Sequence, residues 1–224
     1  MDYIKHIAPY FRFPTTEHWI TALLFLCILL FAWVKTAYPK KVSLLFREVF
    51  TVTLPEDDSG INPASIGMFV IFICTSVLLA MHLMQLKNLN LFHNAGKEFA
   101  SLALVLFLIY IAKTLIILFS GFIFEQQERA WEYLSEIYVF AHFLGLVLLP
   151  VVLLVTYAPE ISSPKVIEAI FIGIGLLFIY RTIKMFILMT NKGLSMMYLF
   201  LYICALEILP FALLYKYANM SLGI

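Results

Sequence analysis

The sequence predicts an all-α fold: a polytopic transmembrane helical bundle with about six spans and one interfacial amphipathic helix. Three observations lead there. Of the 224 residues, 63% are hydrophobic and 13% are charged, where soluble domains sit near about half and about a quarter. The mean hydropathy is +0.96, so there are too few polar side chains to cover a water-facing surface. The apolar residues also gather into runs near the roughly 20 residues that a helix needs to cross a ~30 Å hydrocarbon core. In that medium the backbone must satisfy its own hydrogen bonds, which favours helices.

The first run covers residues 19–36, with Thr15 or Thr16 placed to cap it and Pro39 to stop it. No small-residue cleavage site follows it, so it reads as a retained span. The second covers 64–83, entered at Pro63, and the third covers 98–124. The fourth covers 132–157, ending before Pro159. The fifth covers 165–190, and the sixth 194–217, with Gly193 in the tight loop between them. Together they make a single transmembrane domain over 1–224, without an inverted repeat. Short joins make the third and fourth spans, and the fifth and sixth, antiparallel neighbours.

Between the first two spans, in 41–51, Val42, Leu45, Phe46, Val49 and Phe50 fall at i, i+3, i+4, i+7 and i+8. Lys41, Arg47 and Glu48 lie off that stripe. The segment reads as a helix at the membrane interface or packed on the bundle. The following Pro55 to Gly60 is a polar turn. Trp19, Trp33 and Trp131 fall at span ends, as an aromatic belt requires. Lys and Arg divide evenly between the two sides. Lys5, Arg12, Lys87, Lys97, Lys165 and Lys216 stand on one, and Lys35, Lys40, Lys41, Arg47, Arg129 and Lys192 on the other. The positive-inside bias therefore assigns no orientation.

A net charge of +1 leaves no nucleic-acid footprint. Cys27, Cys74 and Cys204 each sit in an apolar run and read as small buried hydrophobes. The scattered histidines include no metal-ligating pair, and no HExxH, GxSxG or Walker motif is present. No metal or cofactor is expected, and the lipid bilayer is the one partner that composition demands. A membrane-protein partner or a homo-oligomer is compatible with it.

Charged side chains inside spans are the informative residues, because each costs about 2.5–3.5 kcal/mol or more at the bilayer centre. They are Lys113, Glu136, Arg181, Lys184 and Glu207, with His142 beside them and Glu132 at a helix start. Counted from the span ends, most fall in one half of the bilayer or near its middle. Three cations and three carboxylates at similar depth predict an interhelical polar cluster. Glu136 and Glu207 are its expected partners for Arg181 and Lys113, and Tyr138 and His142 extend it. Such pairs often serve packing alone, and Glu132 and Lys184 can snorkel to the interface. Pro150 and Pro210 lie within spans and mark helix kinks, freeing the carbonyls of Leu146 and Leu206. Gly173 and Gly175 are expected to allow close helix approach.

The run Leu201 to Pro210, with Glu207 before the proline and Lys216 after it, resembles the C-terminal signature of an uncharacterised bacterial membrane family, domain of unknown function 4271. The segment around Arg47, Glu48 and Phe50 and the polar entry at Glu132 and Glu136 are similar to it too. The resemblance implies a multi-pass protein of the bacterial inner (cytoplasmic) membrane, and it brings no activity or catalytic residue. Three functions stay open. One is a non-catalytic accessory or assembly subunit, favoured by small size and the amphipathic segment. Another is a small transporter or proton-coupled membrane protein. The third is a membrane enzyme on a lipid-linked or phosphate-bearing substrate, with Arg181 and Lys184 holding phosphate and Glu136, Glu207 or His142 as acid or base.

Overall fold

A computed structural model describes residues 18–51, 62–86, 94–123, 125–157 and 164–191. All the regular structure among them is helical: α1 His18–Ala37, α2 Pro39–Phe50, α3 Pro63–Leu86, α4 Ala95–Ile123, α5 Gln127–Tyr157 and α6 Pro164–Asn191. Four of these, α1, α3, α4 and α5, are long and apolar enough to cross a membrane. The expected sixth span, 194–217, lies outside the described residues.

Local chemistry sets the boundaries. Pro39, Pro63 and Pro164 are each the first residue of a helix, where a missing N–H costs nothing and φ is already helical. Asn94 caps α4 by accepting the Gly96 N–H on its Oδ1 at 3.0 Å. The α4–α5 turn is only three residues long. Glu125 takes a φ of 53° there, and the Gln126 N–H donates to the Gly121 carbonyl at 2.9 Å. As a result α5 begins five residues before the expected 132, and Glu128 and Arg129 belong to its first turn.

The chain forms two compact units, 1–174 and 175–224. In the first, α3 is the central helix, packed against α1, α4 and α5, while α2 rests on α1 and α5. Ile20, Leu24, Cys27 and Val34 make a single buried stripe on α1 that meets α3. Two glycines allow close packing. A Cβ on Gly145 would fall 2.8 Å from Phe72 Cα, and one on Gly121 would fall 2.5 Å from Ala130 Cβ. Among the described residues nothing lies within 4 Å of a Cβ at Gly173 or Gly175.

Hydroxyls inside the helices turn back on their own backbone. Thr75, buried, donates to the Ile71 carbonyl at 2.8 Å, Thr114 to Tyr110 at 2.9 Å and Thr156 to Val152 at 2.7 Å. This i−4 bonding removes a polar group from lipid without needing a second helix. Pro150 stands inside α5, which continues through it to Tyr157. Pro210 lies outside the described residues.

The amphipathic segment is a helix, α2, two residues longer at its start than expected. Leu45 and Val49 are buried. Phe46 and Phe50 meet Phe143 of α5 edge-on, with ring centroids 5.4 and 5.7 Å apart. Of the two expected placements, the structure has α2 packed on the bundle.

Candidate functional site

Ring contacts fix the register of the candidate residues. Tyr110 of α4 lies 5.4 Å from both Phe69 and Phe72 of α3. Tyr138 of α5 lies 6.1 Å from Phe69, and its hydroxyl is 3.3 Å from that of Thr114. The middle of α3 therefore falls level with α4 residues near 106 and α5 residues near 145. At about 1.5 Å per residue, Lys113 sits about 10 Å from that middle level and Glu136 about 14 Å. Along the helices Lys113 is thus nearer the middle level of α3 than Glu136, and Glu132 is farther from it still.

The α5 polar residues divide between two faces. Glu132, Glu136 and Phe143 share the face that receives α2, at i, i+4 and i+11. At about 100° per residue Tyr138 lies about 120° or more from these, while His142 lies about 80–120° from them, between the two directions. Glu136 is 3% exposed and His142 is 7%. The His142 ring lies near the Ser65 backbone at the start of α3, with Lys41 of α2 within electrostatic range. α2, the first turn of α3 and the α5 residues 132–142 lie in the same half of the unit.

In the second unit, Arg181, Lys184, Met185 and Leu188 fall at i, i+3, i+4 and i+7 and are all buried, the two cations at 5% and 4% exposure. Ile179, Ile183 and Ile187 occupy the opposite, exposed face. Two cations on the covered face of a helix, with isoleucine on the open face, is the reverse of a water-exposed amphipathic helix and suits a lipid-facing one. Lys113 is half-buried beside Thr114. Glu207 lies outside the described residues. No group of three His, Cys, Asp or Glu among the described residues is placed to hold a metal ion.

Two buried titratable residues escaped sequence reasoning. Glu98, 4% exposed, was expected at a span boundary, yet its Oε1 is buried and lacks a hydrogen-bond partner among the described residues. His82, 6% exposed, has Nδ1 3.2 Å from the Leu78 carbonyl. Both sit at the α3–α4 end opposite the Glu136 end. Only the first-turn position of Glu98 hinted at this, and carboxylates in first turns are ordinarily exposed.

Long apolar helices, back-bonded hydroxyls, close glycine contacts and charges held off the apolar faces define a polytopic helical integral membrane protein. The chain belongs to the family described as Domain of unknown function (DUF4271), whose sequence profile matches residues 20–218. Neither a curated protein nor a solved structure matches it.

Proposed function

We propose that the protein is a non-catalytic accessory or assembly subunit that holds a partner membrane protein, in the bacterial inner membrane that the family resemblance implies. The observation supporting this is the tip of the α4–α5 hairpin. Measured from the Phe69–Tyr110 level at about 1.5 Å per residue, α4 runs about 10 Å past the start of α3. There it presents Phe119, Phe122 and, from α5, Trp131, at 66%, 68% and 60% exposure. Glu125 and Glu128 stand beside them and are exposed. Large aromatics ringed by charge are the composition of an anchor patch, in which a few aromatic side chains carry most of the binding energy. A membrane protein with an apolar groove at that depth is the complementary partner.

A photo-crosslinking side chain at Phe122, in the full chain in cells, tests this, with Phe107 at mid-helix as the lipid-facing control. The expected result is protein adducts from position 122 and lipid adducts alone from 107. An adduct to a second copy would identify the partner as the protein itself. Lipid adducts alone at both positions, with a monomer in mild detergent, would overturn the proposal.

The burial of Glu136, Arg181 and Lys184 favours a second reading, a proton-coupled transporter. On that reading Glu136→Gln abolishes flux in vesicles while the Phe122 adducts persist. On the accessory reading there is no flux for it to abolish.

A further inference from the structure

Cys27 and Cys74 face each other across the α1–α3 seam. Cys27 is the tenth residue of the 20-residue α1 and Cys74 the twelfth of the 24-residue α3, so both stand at the mid-depth of their spans. Val34 of α1 lies 3.4 Å from a Cβ placed on Gly67 of α3, and seven residues further along each antiparallel helix that register sets Cys27 opposite Cys74; both thiols are free. Cys27 is 1% exposed and packs with Ile71 and Leu149, and Cys74, half-buried, lies against that same cluster with Leu23 and Leu30. These neighbours are all apolar. They offer no cation to stabilise a thiolate, and any step that left a charge there would be costly. Two neutral S–H groups in contact can, however, lose two hydrogen atoms to a neutral acceptor without creating charge.

We propose that Cys27 and Cys74 form a dithiol that a lipid-soluble quinone oxidises to a disulfide linking α1 to α3. Both S–H bonds break and one S–S bond forms. The two protons and two electrons pass to the two carbonyl oxygens of the quinone, which becomes the hydroquinone. The dithiol is oxidised, the quinone is reduced, and reactants and products are all uncharged. An apolar oxidant reaches sulfurs at mid-depth, whereas a hydrophilic one is held at the headgroups by the cost of entering hydrocarbon. Cys74, the more exposed sulfur, is the one the quinone meets, and Cys27 is the partner against it. The product closes the long chain segment between the two residues and restrains α1 on α3.

The test uses the full chain, reduced, in phosphatidylcholine vesicles with or without decylubiquinone. Free thiols are counted after denaturation, and the linkage is mapped by mass spectrometry. With quinone, two of the three cysteines should lose their thiols, and the chain should become lighter by two hydrogen atoms. A single cross-linked peptide should join Cys27 to Cys74, with one hydroquinone formed per chain. Without quinone, or with ferricyanide outside the vesicles, all three thiols should survive. Cys204→Ala should behave as the parent and Cys74→Ala should form no internal link. The peptide map of the unsubstituted chain decides the matter even if a variant folds poorly. Three intact thiols in the presence of quinone, or a link through Cys204, would overturn the proposal. Linkage of Cys27 to Cys74 by diamide but not by quinone would overturn the assignment of the oxidant.

Discussion

Replacing Gly145 with alanine probes the contact between the two most extensively packed helices, α3 and α5. The added Cβ would meet Phe72 Cα at 2.8 Å and Phe72 N at 2.9 Å. Both are backbone atoms, so no rotamer change relieves the overlap and the helices must move apart by several tenths of an ångström. Overpacking of this kind costs about 1–3 kcal/mol. Against that, alanine in place of glycine inside a helix gains about 1 kcal/mol. Gly173→Ala gains the same propensity with nothing within 4 Å among the described residues. The difference between the two variants therefore isolates the steric cost, and Gly145→Ala should be the less stable by about 1–3 kcal/mol. Equilibrium unfolding in mixed micelles, with denaturing detergent as the titrant, measures both. Equal stability of the two variants would refute the close approach at Phe72.

Phe143→Ala removes the ring that Phe46 and Phe50 both meet edge-on. Loss of a buried phenyl costs about 3–5 kcal/mol, so backbone amides of α2 should exchange hydrogen faster while those of α3 do not. In a double-mutant cycle of Thr114→Val and Tyr138→Phe, the 3.3 Å hydroxyl pair should show a coupling of about 0.6 kcal/mol, the usual size for hydrogen bonds between membrane helices. A coupling of zero would mean that each hydroxyl is served by other groups. Gly121→Leu should open the α4–α5 turn, because even a Cβ there falls 2.5 Å from Ala130 Cβ. Faster proteolysis between the two helices would report it, and unchanged proteolysis would contradict the tight turn.

The helices were legible because apolar runs and prolines are local signals. Pro39, Pro63 and Pro164 each mark a first residue, and α1 and α6 lie within one or two residues of the expected bounds. The start of α5 was less legible. Gln127, Glu128 and Arg129 are polar and look like loop, yet the left-handed Glu125 closes the turn early enough for them to be helical. Glycine roles were not legible at all. Gly173 and Gly175 have the composition of a contact and meet nothing within 4 Å among the described residues, while Gly145 carries no spacing motif and has Phe72 against it. Which helix arrives opposite a glycine is a tertiary fact. The same reason hid the Cys27–Cys74 contact and the burial of Glu98 and His82.

The narrow buried strip of α4 has a consequence for how this family can diverge. Of its 29 residues, Glu98, Ile117 and Gly121 are buried; of the 31 in α5, about half are. Most α4 positions ask only for an apolar side chain, a demand that many residues meet equally well. Substitutions should accumulate there with little effect on folding, while α5 holds about half of its positions to one shape. Relatives too distant to align along α4 should still be recognisable by α5, and a search for them is best weighted toward that helix.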